Sequence, residues 1–179
     1  VKFQKERFGR PQKLFDGAYH DGISGDERLA VTGARLLRAK VAQGTSTLES
    51  KASDTVWYNG EQACNASLAT DGSKKTLFLD FSGETGRKFV GESYGVHERI
   101  LVMDSTGKLI SSIKAPLGYS FDHTEWVRGR SDYAVATLTE ASGMHRKIVL
   151  VNMQDSSMTD LVEGDDLWQP CLWIPDALD

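Results

Sequence analysis

Two apolar runs stand out along the chain, Thr76-Leu77-Phe78-Leu79-Asp80-Phe81 and Arg99-Ile100-Leu101-Val102-Met103-Asp104. Each is short and bounded by turn-forming residues. Thr70-Asp71-Gly72-Ser73-Lys74-Lys75 precedes the first, and Ser105-Thr106-Gly107-Lys108 follows the second. Runs of this length between turn signals predict buried strands. Weaker patterns flank them. Leu29-Ala30-Val31 is one strand. Leu37, Ala39 and Val41 alternate with Arg38 and Lys40, so this stretch is a strand despite its good helix formers. Residues 43–54 are polar and turn-rich, with a short strand expected at Thr47-Leu48-Glu49. Thr55-Val56-Trp57-Tyr58 is an aromatic, β-branched strand stopped by Asn59-Gly60. Residues 82–96 form a long polar loop containing Gly83, Gly86, Gly91 and Gly95. Strands resume at 109–113, 131–139, 147–151 and 158–162, with a hairpin loop over 140–145. No segment requires a long helix.

The pattern repeats. His20, Asn65, His123 and Pro170 anchor four units at intervals of 45, 58 and 47 residues. Three residues after each anchor stands a large apolar side chain: Ile23, Leu68, Trp126 and Trp173. Six residues after it stands a turn residue: Asp26, Asp71, Gly129 and Asp176. An apolar strand follows, then two more. A period near 50 with four short strands per unit predicts propeller blades. The apolar column is expected to be buried.

These units resemble the TolB-type propeller repeat, also called the WD40-like or PD40 repeat. The likeness rests on Ser67-Leu68-Ala69-Thr70-Asp71-Gly72, with Leu77-Phe78 and Ile100-Leu101-Val102-Met103-Asp104 after it. Ile23-Ser24-Gly25-Asp26 and Trp173-Ile174-Pro175-Asp176 repeat parts of it. Arg128-Gly129-Arg130 departs from the Pro-Asp-Gly expected in the third unit. The resemblance implies an all-β fold of about three four-stranded antiparallel blades with partial blades at both ends. The blades are expected at 18–60, 61–117 and 118–166. Residues 10–17 are expected as the outer strand of a preceding blade, and 167–179 as the inner strand of a following one. Three blades fall short of the four to eight that close a ring. The chain is therefore expected to be a segment of a larger propeller, and it also resembles the large, partly lipid-anchored cell-surface proteins of fibre-degrading bacteria that carry such repeats. Self-association would cover its open edges. The family implies a binding or scaffold role with a protein or polysaccharide partner, in a periplasmic, outer-membrane-associated or secreted setting.

Composition narrows the classes. The chain has 179 residues, a net charge of −4 and 26% charged residues. Mixed charge without a basic stripe argues against nucleic acid. No apolar run is long enough for a membrane-spanning helix. The first residues lack an initiator Met and a signal-peptide core, as expected of an excised or mature piece. Cys64 and Cys171 lack zinc-finger spacing and are expected as buried, unpaired thiols.

Candidate chemistry is sparse. Gly91-Glu92-Ser93-Tyr94-Gly95 matches the Gly-x-Ser-x-Gly nucleophile elbow, which needs a strand before it and a helix behind it. A serine hydrolase using Ser93 with His97 is the enzymatic alternative, as is a propeller gating a peptidase domain outside the chain. The favoured reading is non-catalytic. No His-Glu-x-x-His or Cys-rich pattern is present, so neither a metal nor a cofactor is expected. Binding is expected from Arg87, Phe89 and Tyr94 in the 82–96 loop and from Trp57, Tyr58 and Trp168 near turns, where aromatics stack on ligands. The competing reading of these aromatics is packing between blades. His20 and His123 share a repeat column and are read as turn residues.

Overall fold

A computed structural model describes residues 3–4, 7–8, 13–16 and 20–172, without side chains for 3–4 and 7–8. The described residues are β apart from one short α-helix and a 3-10 turn at Tyr58–Gly60. A hairpin pairs β1 (Phe3–Gln4) with β2 (Arg7–Phe8). Three antiparallel four-stranded sheets follow, each built from strands consecutive in sequence. The first contains β3 (Asp21–Ile23), β4 (Leu29–Gly33), β5 (Leu37–Ala42) and β6 (Ala52–Val56). The second contains β7 (Ala63–Leu68), β8 (Thr76–Asp80), β9 (Arg99–Met103) and β10 (Leu109–Lys114). The third contains β11 (Tyr119–Val127), β12 (Arg130–Glu140), β13 (His145–Asn152) and β14 (Met158–Glu163). Stacked meanders of this kind are a β-propeller blade segment.

The middle sheet explains the two apolar runs. Every residue of β8 and β9 is buried. Phe78, Leu101 and Met103 pack toward the first sheet with Leu29, Val31, Leu37 and Ala39. Leu77, Leu79, Ile100 and Val102 pack toward the third sheet with Phe121, Ala134, Leu138 and Val149. Successive strand residues point to opposite faces, so a sheet covered on both sides needs a continuous apolar run. The outer strands β6 and β14 are largely exposed and correspondingly polar.

Contact between sheets is close at the inner strands. A Cβ placed on Gly22 would lie 2.5 Å from Leu68 Cβ, and one on Gly33 would lie 2.7 Å from Ala66 Cβ. Hydrogen bonds tie the second and third sheets: Ser131 N donates to Asp71 Oδ2 at 2.8 Å and Trp126 Nε1 to Lys75 O at 3.1 Å.

Several expectations change. Leu68 and Trp126 are buried, but Ile23 is 46% exposed. Leu68 joins the core shared with the first sheet and Trp126 the core shared with the second, so this column faces the preceding unit. Ile23 belongs to the first of the three four-stranded sheets, and among the described residues no four-stranded sheet precedes it. Trp173 lies outside the described residues. Residues 13–16 form no strand, nor do 167–172; the remainder of 10–17 and of 167–179 lies outside the described residues. Thr47-Leu48-Glu49 lies in a turn region, and β6 begins within the polar stretch at Ala52. Both cysteines are free, but Cys171 is exposed because it lies on the strandless segment after β14.

The 82–96 stretch is not an open loop. Helix α1 (Glu84–Val90) occupies it, ended by Gly91 in the left-handed conformation at φ 81°. Glu61 accepts from Thr85 N at 3.0 Å and so caps the helix start from another loop. Beneath it, Asp80 Oδ2 accepts from Tyr58 OH at 2.6 Å, Tyr94 OH at 2.9 Å and Gly83 N at 2.9 Å. Burial and the Asp80 carboxylate push both phenols upward, so they remain donors. Trp57, Tyr58 and Tyr94 are therefore packing residues rather than surface aromatics. Trp57 lies against Gly107, where a Cβ would stand 2.8 Å from its ring.

Gly22→Ala and Gly33→Ala should each destabilise the chain by about 1–3 kcal/mol, because the added methyl overpacks a rigid contact. Gly25→Ala, whose Cβ would meet nothing closer than 3.9 Å, should be near neutral. Urea unfolding midpoints of the three variants check this.

Candidate functional site

The inner strands carry the polar chemistry. Both β7 and β11 are bulged, between Cys64 and Ser67 and between Asp122 and Glu125. Each bulge holds a non-glycine residue in the left-handed region, Asn65 at φ 52° and His123 at φ 46°. Gln169, just before the expected anchor Pro170, is also in the left-handed region at φ 47°. A bulge redirects side chains that a regular strand would send to opposite faces. In β11 it brings Asp122 and His123 together.

Asp122 is the hub. Its Oδ1 accepts from His123 N at 2.9 Å and from Asn65 Nδ2 at 3.3 Å, linking two sheets. His145 Nε2 donates to Oδ2 at 2.9 Å. Burial pushes the Asp122 carboxyl up, but the His145 hydrogen bond and the charge and N–H of His123 outweigh it and hold it below the usual range. The Trp168 ring lies over His145 with centroids 3.8 Å apart, and meets His123 edge-on at 5.1 Å. Leu167 positions it: Leu167 N donates to His145 O at 3.0 Å, and Thr137 Oγ1 donates to Leu167 O at 3.3 Å. Trp168 remains 53% exposed.

A cleft of about 540 Å³ opens beside this cluster, lined by His20, His123, Glu125, Trp126, Arg128 and the 169–172 segment. His20 stands 6.0 Å from His123, ring centre to ring centre. Burial, then the neighbouring His123, hold His20 below the ordinary histidine value. Burial pushes Glu125 upward, against the hydrogen bond it accepts from Ser67 at 2.5 Å.

The candidate nucleophiles are arranged differently. Ser93 is exposed, after α1 and ahead of strand β9, so a helix precedes it and a strand follows. That is the reverse of an elbow's order. His97 is turned to Cys64, with Sγ 3.3 Å from Nε2, and its ring packs on Phe81. Burial, with the Asp122 and Asp80 carboxylates, pushes the Cys64 thiol up to about 12. Burial also lowers His97. Both partners are thus neutral, unlike a catalytic thiolate–imidazolium pair. Arg87 and Phe89 are exposed on α1, on a different element from Trp168, while Tyr94 is buried beneath the helix.

Sequence reasoning singled out His123 and Trp168 but not their convergence with Asp122 and His145. The one available signal was the repeat column, where His20, Asn65 and His123 mark the inner strands. His145 comes from the hairpin after β12, and nothing in its neighbours announces the contact.

No family model matches the chain, and no curated protein matches it. Among solved structures, the chain is similar to the β-propeller domain of Myceliophteria thermophila Cps50 (Swd1), with a TM-score of 0.49 and 10% identity. The match covers 81% of this chain and 37% of that one. Among the described residues, no helix is long and apolar enough to cross a membrane.

The lowered His97 sets a pH dependence. Below about pH 6.5 the unfolded chain takes up a proton that the folded chain excludes. This contribution to stability is complete above that pH and is lost as pH falls toward the lowered folded value. The urea midpoint should fall between about pH 7 and about pH 5, and His97→Gln should flatten part of that slope. Identical slopes in the two proteins would count against a neutral buried His97.

Proposed function

We propose that the chain is an arc of a larger TolB-like propeller and serves as a non-catalytic binding and scaffold module of the bacterial cell envelope. Its partner is a protein, received as an extended segment in the cleft beside Trp168. The observation that carries this reading is an exposed indole stacked over His145 and against His123, immediately before the 169–172 segment that lines the cleft. Rigid aromatic anchors of this kind dominate binding energy at interfaces. Glu125 and Arg128 supply charges of both signs along the same cleft. The exposure of Ile23, at a position buried in the next two units, supports a further blade before the first sheet. The periplasmic, outer-membrane-associated or secreted setting rests on the repeat's resemblance.

Binding of the chain to arrays of extended peptides and of polysaccharide fragments tests the reading. Peptide binding weakened by about ten-fold or more in Trp168→Ala, and unchanged in Phe89→Ala, is the expected result. Glycan binding with the same dependence on Trp168 would reassign the ligand to polysaccharide. Binding lost in Phe89→Ala but retained in Trp168→Ala would move the site to α1. An absence of binding to either array would overturn the reading.

A further inference from the structure

Asp122, His123 and His145 each offer a ligand atom, and these atoms lie within 4.8 Å of one another. We propose that the three side chains form a binding site for a divalent transition-metal ion of the zinc class, with its remaining coordination position open to the cleft beside His20. The three protein ligands are the same whether the cleft receives a peptide or a glycan.

The geometry is close to what an ion requires. With metal–ligand bonds of about 2.1 Å, neighbouring ligand atoms of a tetrahedron stand about 3.4 Å apart. His123 Nδ1 lies 3.3 Å from Asp122 Oδ1, and His145 Nε2 lies 2.9 Å from Oδ2. The two imidazole centres are 6.1 Å apart, within about 1 Å of the spacing of two rings sharing one tetrahedral ion.

A second observation points the same way. His123 Nδ1 is buried and has no hydrogen-bond partner, although the Asp122 carboxylate is beside it. Buried polar atoms are ordinarily paired. A cation between Nδ1 and the carboxylate would satisfy the orphaned atom. The backbone is also bent to make the juxtaposition, since His123 sits at φ 46°, which side chains with a Cβ rarely adopt.

The surroundings orient the ligands. Asn65 Nδ2 and His123 N hold Asp122 Oδ1, in the manner of groups that fix a ligand from behind. Trp168 covers His145 and so keeps water from that side. Two imidazoles and one carboxylate suit zinc-class ions, whereas magnesium and calcium favour all-oxygen shells. Three protein ligands leave a place for a water or a donor atom of a bound ligand.

Calorimetric titration of the chelator-stripped chain with zinc chloride should show a single saturable site, with no comparable heat from magnesium or calcium. Asp122→Asn and His145→Gln should each weaken zinc binding by at least about ten-fold. Cys64→Ser should not, which separates this site from the Cys64–His97 pair. X-ray absorption of the zinc-loaded native chain should show only nitrogen and oxygen ligands, a readout that does not depend on whether the variants fold. Sulfur in that shell, zinc affinity unchanged in the Asp122→Asn/His145→Gln double variant, or no saturable zinc binding by the folded native chain would overturn the proposal.

Discussion

The middle sheet has no solvent-facing side, and the rest of the molecule is arranged around that constraint. Phe78 and Leu101 require an apolar surface on one side, and Leu77, Leu79 and Ile100 require another. The first and third sheets supply them. Exposed, those side chains would cost about 1.5–3 kcal/mol each. The approach of the sheets is then limited by the backbone at the inner strands. Glycine at positions 22 and 33 lets Leu68 and Ala66 close in without a Cβ between them. Polar groups reinforce this register at the rim, as where Asp71 captures the Ser131 N–H of the next sheet.

The same burial creates the polar demands that shape the periphery. Asp80 ends β8 inside the core and is fully buried, so its Oδ2 needs donors there. Tyr58, Tyr94 and the Gly83 N–H provide them, and together they fold the following glycine-rich stretch down as α1. Gly86 is needed at the contact, since a Cβ there would stand 1.9 Å from the Tyr94 hydroxyl oxygen. A segment whose composition reads as flexible is thus fastened by a buried carboxylate.

At the inner strands the polar demand takes another form. The bulges in β7 and β11 place Asn65 and His123 in strained conformations and gather Asp122, His123 and His145 beneath Trp168. Strain of this kind persists where surrounding contacts over-determine it and concentrates at functional positions. Here it lies at the edge of a cleft, with an exposed indole as its outermost group. The reactive pair nearest to it, Cys64 and His97, is held neutral by burial.

The sequence by itself determined the strands and their repetition, because alternation and turn residues are local signals with a fixed period. Leu77 to Leu79 and Ile100 to Val102 read as buried strands, and they are. Which way the repeat column faces was not local: Leu68 and Trp126 are buried because a preceding sheet covers them, whereas Ile23 is exposed on the first of the three described sheets. The short helix α1 was illegible because Gly83, Gly86 and Gly91 depress its propensity, while its cap comes from Glu61 and its support from Asp80. Trp57 and Tyr58 lie near a turn in sequence yet are buried between units. The Asp122–His123–His145 cluster joins residues from β11 and β13, with β12 between them. Only the pairing register of three strands, and a bulge that turns His123 beside Asp122, brought those side chains together.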